Sequence, residues 1–235
     1  MTDGAARPAW RVHLALGRVS NLPTVWTNCV AGASLALGAL PGPALWLVAA
    51  ALSCFYVGGM YLNDAFDAEF DRVARPERPI PRGLIETRRV RLTGLLLLAA
   101  GEALLAVQSM PAAAGGLALG ALILYYSWRH KRDPFSPIVM ALCRACVYVI
   151  AAAALARVSP PVLAAAAGLA IYVTVLSYLA KHDVVPGRGV AILIALISLL
   201  DALLVFGATG HTGAALATAV GFPLTTALQR LAPGT

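Results

Sequence analysis

Charge is what this sequence has least of. Only 12% of its 235 residues are Asp, Glu, Lys or Arg, and 60% are hydrophobic; soluble globular chains carry ~25% charged and ~45–50% apolar residues. So apolar a chain is not disordered, collagen-like or a disulfide scaffold. Cysteine is scarce too, and Cys29, Cys54, Cys143 and Cys146 all lie inside apolar runs. Cys143 and Cys146 form a C-x-x-C with no second Cys/His pair, so buried free thiols are expected and zinc is not. Acids number 11 against 18 Lys and Arg, a net charge of +7. The basic residues sit in short connections between apolar runs, the pattern of membrane loops and not of a nucleic-acid groove.

What the sequence has in abundance is long apolar segments. They run over residues 23–40, 44–62, 92–109, 112–128, 136–156, 161–180, 189–208 and 212–229. Each approaches the ~20 residues that cross a bilayer, where only helices and closed barrels satisfy every backbone group. The expectation is an all-α, polytopic membrane bundle of about eight transmembrane helices forming one domain over 1–235. Abundant Ala and Gly suit close helix packing in lipid.

Eight spans with an internal N-terminus place 1–22, 63–91, 129–135, 181–188 and the C-terminus on the cytoplasmic side. These segments hold 3, 7, 3, 2 and 1 of the Lys and Arg residues, 16 of 18. The asymmetry predicts a multi-pass protein of the cell (inner) membrane, with N-terminus and motif loops cytoplasmic. Residues 1–22, with Arg7, Arg11 and Arg18, carry no small-residue cleavage site after a short apolar core. They are expected to form an uncleaved amphipathic segment on the cytoplasmic surface.

The acids concentrate where the second span ends. Asn63, Asp67 and Asp71 are spaced i, i+4, i+8, and Asp64, Asp67 and Asp71 i, i+3, i+7. A helix continuing through them puts all four side chains on one face. Like charges so placed repel, so cations belong among them: the loop arginines Arg72, Arg75, Arg78 and Arg82, or a hard divalent metal such as Mg²⁺. A structural acid/base network at a helix end is the plainer alternative.

Asn63-Asp64-x-x-Asp67-x-x-x-Asp71 resembles the N-D-x-x-D-x-x-x-D signature of the UbiA superfamily of intramembrane prenyltransferases. Residues 75–83, Arg-Pro-Glu-Arg-Pro-Ile-Pro-Arg-Gly, resemble the segment that follows it there, and residues 17–24 the approach to the first helix. The resemblance implies a UbiA-like bundle and Mg²⁺-dependent transfer of an isoprenyl group from a prenyl diphosphate to a lipid-soluble or aromatic acceptor. It implies Asn63, Asp64, Asp67 and Asp71 as metal ligands, with Asp67, Asp71 and Lys131 catalytic. Arg72, Arg78 and Lys131 are the diphosphate contacts it suggests, with membrane lipids as surroundings; Lys181 and Arg188 are expected to contact diphosphate too, because the acids that would hold a further metal are missing beside them. Lys131 follows the fourth span in Tyr125-Tyr126-Ser127-Trp128-Arg129-His130-Lys131, a stretch that also reads as an interfacial anchor.

The chain departs from the family pattern after the sixth span. A second D-x-x-x-D type motif is usual there; this chain has Lys181-His182-Asp183 and then Arg188. With eight spans where nine are common, it looks most like the short EboC-type branch. That opens two other readings: a UbiA-fold component for secondary-metabolite assembly or export without transferase activity, or a prenyl-diphosphate cyclase or phosphatase. His182 reads as a general base for the acceptor or as an interfacial loop residue. Arg144, two turns into the fifth span, must face a polar cavity or an acid. Glu102 and Asp201 are intramembrane acids expected to pair with each other, with Arg144, or with water at an outer end.

Overall fold

A computed structural model describes residues 9–231; Arg7 and the rest of 1–8 lie outside the described residues. Short α1 (Ala9–Leu16) leads through a 3-10 turn (Val19–Asn21) into α2 (Leu22–Leu37). There follow α3 (Leu45–Ala74), α4 (Thr87–Gln108), α5 (Met110–Arg129), α6 (Ser136–Leu155), α7 (Pro160–Lys181), α8 (Gly187–Thr209), α9 (Thr212–Ala219) and α10 (Gly221–Leu231). The described residues contain helices and turns and no strands.

All eight apolar segments are helical, yet among the described residues only six helices, α3 to α8, are long and apolar enough to cross a membrane by themselves. The first expected span, 23–40, is the 16-residue α2, which ends at Gly38 in the left-handed conformation. It is buried along most of its length and touches α3, α6, α7, α8, α9 and α10, so it forms the centre of the bundle. The eighth expected span, 212–229, is broken at Val220 into α9 and α10. Pro223 lacks an amide to continue the ladder there, and Gly221 presses against Thr27 and Ser198.

Small residues let the helices approach. A Cβ on Gly32 of α2 would stand 2.5 Å from the Tyr148 carbonyl oxygen of α6, a position only glycine fills. Two larger apolar clusters result. One joins α2, α3 and α6 through Val25, Leu52, Phe55 and Ile150; the other joins α2, α6, α7 and α8 through Tyr148, Val162, Leu169 and Val205. A third, smaller one (Val12, Leu16, Tyr61, Ala65, Ala68, Ile80 and Val90) docks α1 and the α3–α4 loop on the end of α3. That cluster positions the site. The four cysteines are free thiols.

Candidate active site

The helix does continue through the acidic motif: α3 runs to Ala74. Asn63, Asp64, Asp67 and Asp71 therefore share one face, and all four are buried. Buried carboxylates need partners, and three neighbouring segments supply them.

The first is the loop after α3. It turns back on itself, with Gly83 at φ +70 and Ile80 fixed in the small apolar cluster. This brings Arg78 inward, where Nη1 donates to Asp71 Oδ2 at 2.7 Å and to Asp64 Oδ1 at 3.2 Å. The second is the turn before α2. Arg18 occupies the left-handed region at φ 43, unusual for a residue with a side chain, and its Nη2 lies 3.5 Å from Asp64 Oδ1. The third is the α5–α6 loop, where Lys131 Nζ stands 3.1 Å and His130 Nε2 3.4 Å from Asp67 Oδ2. Lys131 also rests 3.8 Å over the Phe70 ring, and His130 stacks on Tyr126 at 4.9 Å.

The diphosphate contacts expected from the sequence thus divide. Arg78 and Lys131 join the acids; Arg72 does not. Its position on α3 faces away from the cluster, and it pairs with exposed Glu69 at 3.1 Å. Lys181 does not reach the acids either. Its Nζ donates to the Asp133 carbonyl at 2.8 Å and to Ser136 Oγ at 2.9 Å, tying the end of α7 to the α5–α6 loop. Arg188 and His182 are exposed, with His182 against Tyr178. Asp183 is exposed in a left-handed turn. Within the latched loop, Asp133 accepts from the Phe135 amide and the Tyr125 hydroxyl, which lowers its pKa below the ordinary carboxylate value.

Two acid partners escaped the sequence reading as site residues. Arg18 had signalled only an approach to the first helix. His130 stood in a stretch where Lys131 drew attention. Their pairing with acids 46 and 63 positions away is set by tertiary packing, which spacing along one helix does not reveal.

The donor set suits Mg²⁺. It is all oxygen, and Asn63 Oδ1 and Asp71 Oδ1 are buried with no hydrogen-bond partner among the described residues, as acceptors facing a hard cation would be. Among the described residues no three His, Cys, Asp or Glu side chains form a ready-made cage. Mg²⁺ typically takes one or two carboxylates and completes its shell with water and substrate phosphate.

Deeper in the bundle Arg144 faces polar side chains, and the nearest acid in its network, Asp201, is reached only through Asn28. Arg144 donates to Asn28 Oδ1 at 2.9 Å and to Thr24 Oγ1 at 2.8 Å. Asn28 in turn holds both oxygens of Asp201 at 2.9 Å. Glu102 is remote from this pair: it lies on α4 against Gly116, its Oε2 buried without a partner.

A sequence model of the UbiA prenyltransferase family matches residues 24–232. The chain belongs to that family. It is similar to digeranylgeranylglyceryl phosphate synthase of Thermococcus gammatolerans, 39% identical over 126 residues, covering 53% of this chain and 46% of that one. It is likewise similar to the synthase of that name from Methanopyrus kandleri, 40% identical over 136 residues, covering 55% and 48%. The matched stretch is about half the length of these relatives. The fold is also that of a UbiA homolog from Archaeoglobus fulgidus solved with DMAPP and Mg²⁺: TM-score 0.63, 16% identity, 93% of this chain and 86% of that chain covered. Membership in the UbiA family makes this chain a multi-pass membrane protein, in accord with its six apolar helices.

Proposed function

We propose that this UbiA-family protein transfers an isoprenyl group from a prenyl diphosphate to a lipid-soluble acceptor, with Mg²⁺, on the cytoplasmic face of the cell membrane. One observation carries the reading: a buried row of Asn63, Asp64, Asp67 and Asp71 walled by Arg18, Arg78 and Lys131, with two orphaned oxygens. Asn63, Asp67 and Asp71, with Asp64 beside them, would hold the metal, which neutralises charge on a leaving diphosphate. Arg78 and Lys131 are placed to bind diphosphate oxygens and to stabilise the negative charge that grows as the allylic C–O bond breaks. Arg18 holds Asp64 in place. Lys181, through Asp133 and Ser136, fixes the loop that presents Lys131. Tyr56 and Tyr126, inside the bundle, offer aromatic faces to a developing allylic cation.

Two relatives carry the name digeranylgeranylglyceryl phosphate synthase, which favours a glyceryl phosphate acceptor over an aromatic one. The EboC-type reading rests on the eight expected spans and on the 181–188 segment, where Asp183 is the single acid and is exposed. A transfer product separates the two, since an assembly or export component forms none.

The test is binding of a labelled prenyl diphosphate to purified protein in Mg²⁺ and in EDTA, then product analysis with a lipid extract. Binding should be much tighter in Mg²⁺, and Asp67→Asn and Asp71→Asn should erase the difference while leaving folded protein. Equal binding with and without metal in the parent protein would defeat the reading.

A further inference from the structure

A chain of buried polar side chains crosses the bundle beside the acidic face, and the reaction above leaves it unused. Thr24 and Asn28 of α2 accept from Arg144 of α6; Asn28 and Tyr148 donate to Asp201 of α8. Asn28 cannot turn over its amide without losing a charged partner on each side. Asp201 therefore answers the charge of Arg144 across Asn28 without touching the guanidinium.

Thr24, Asn28, Tyr148 and Asp201 are sealed from solvent. Arg144 is not; it keeps partial exposure. Its guanidinium lies among α2, α3 and α6, with Cζ 5.8 Å over the Tyr56 ring, so the space it borders is internal and not lipid. Tyr56, Tyr126 and Cys143 are also inside the bundle and also partly exposed. Tyr126 stacks on His130, whose Nε2 lies 3.4 Å from Asp67 Oδ2. The Tyr56 hydroxyl donates to the Arg18 carbonyl at 3.4 Å, and Arg18 reaches Asp64. These partly exposed side chains link Arg144 to the acids through Tyr56 and Arg18. Tyr56 precedes Asp64 by eight residues on α3, about 12 Å of helix, so Arg144 is a second positive point, deeper than the diphosphate site.

A guanidinium carries five N–H donors. Two are fixed on α2, and the other three have no protein partner among the described residues. Such a fork matches the geometry of a phosphate or carboxylate. We propose that Arg144 anchors an anionic oxygen group, phosphate or carboxylate, on the acceptor, with Asn28 and Asp201 as positioning residues that fix one edge of its fork and leave the rest free. The role assigned to the anion rests on the transfer reading; the binding itself does not.

The probes are a medium-chain monoalkyl phosphate, the carboxylate of equal length and the corresponding neutral alcohol. Binding is measured by calorimetry on the full chain in detergent. Parent and Asp67→Asn proteins should bind an anionic probe alike, and more tightly than the alcohol. Arg144→Gln should weaken the anion about tenfold or more and leave the alcohol and the Mg²⁺-dependent prenyl diphosphate unchanged. Arg144→Lys, which keeps the charge without the fork, should fall between and serves if Arg144→Gln fails to fold. Preference for phosphate or carboxylate identifies the acceptor's headgroup. No anion binding by the parent, binding that survives Arg144→Gln, or binding abolished by Asp67→Asn would overturn the proposal. Failure of the prenyl diphosphate to bind would strike the transfer reading instead, so the two are judged by different probes.

Discussion

Arg72 and Arg78 look equivalent in the sequence, two cations in the stretch that follows three aspartates, and their surroundings give them opposite weights. Arg72 pairs with Glu69 in solvent, 60% and 82% exposed, an arrangement worth under ~1 kcal/mol. Arg78 bridges Asp64 and Asp71 with only 16% of its own side chain exposed. Removing one member of a buried ion pair costs ~3–5 kcal/mol because the remaining charge is stranded, and the residual exposure of Arg78 brings the figure toward the lower end. In EDTA, Arg78→Ala should therefore melt well below the parent protein, and Arg72→Ala within ~0.5 kcal/mol of it. Mg²⁺ should recover part of the Arg78→Ala loss by answering the freed carboxylates. Equal melting of the two variants would show that Arg78 does not balance the acids. That the acids share one face was legible because i, i+4, i+8 is a property of one helix. Which arginine turns inward depends on a loop that reverses at Gly83 and is fastened by Ile80, and no spacing rule encodes that.

At the scale of elements, the hydrophobic runs were a sound guide to helices and a weaker one to spans. The 30-residue α3 joins an apolar first half to a charged second half without a break, because the acids find cations and need not leave the helix. By contrast α2 is short and central, so its apolar residues answer to neighbouring helices and not to bilayer thickness. The eighth run breaks where Gly221 meets Thr27 and Ser198, a contact between segments far apart in the chain. Close approach at α2 makes a sharp prediction. Gly32→Ala drives a methyl group onto the backbone of Tyr148, and overpacking of this kind costs ~1–3 kcal/mol. Gly42→Ala, with nothing within 4 Å of the added carbon, should stay within ~0.5 kcal/mol of the parent. Thermal melts in detergent make the comparison; a Gly32→Ala protein as stable as Gly42→Ala would mean that α2 and α6 are not so tightly joined.

For the whole molecule, the ends of α3, α5 and α7 meet at one end of the bundle. Lys131 and His130 reach Asp67, and Lys181 reaches Asp133 and Ser136. The segments 63–91, 129–135 and 181–188, which share most of the basic residues, therefore lie on one side, as alternating helices require, and Arg157 sits in the α6–α7 turn at the other end. This gathering was legible in the sequence because charge asymmetry and helix alternation are global constraints. The partners within it were not, since any basic loop satisfies both. The positive-inside rule predicts that the gathered side is cytoplasmic, and labelling tests it. Single cysteines at exposed Ala74 and Val184, in a chain whose four native cysteines are replaced, should resist a membrane-impermeant thiol reagent in intact cells and react after lysis. A cysteine at Arg157, exposed at the opposite end, should react without lysis. The reverse pattern would turn the bundle over and put the acidic site outside the cell, away from any prenyl diphosphate made in the cytoplasm.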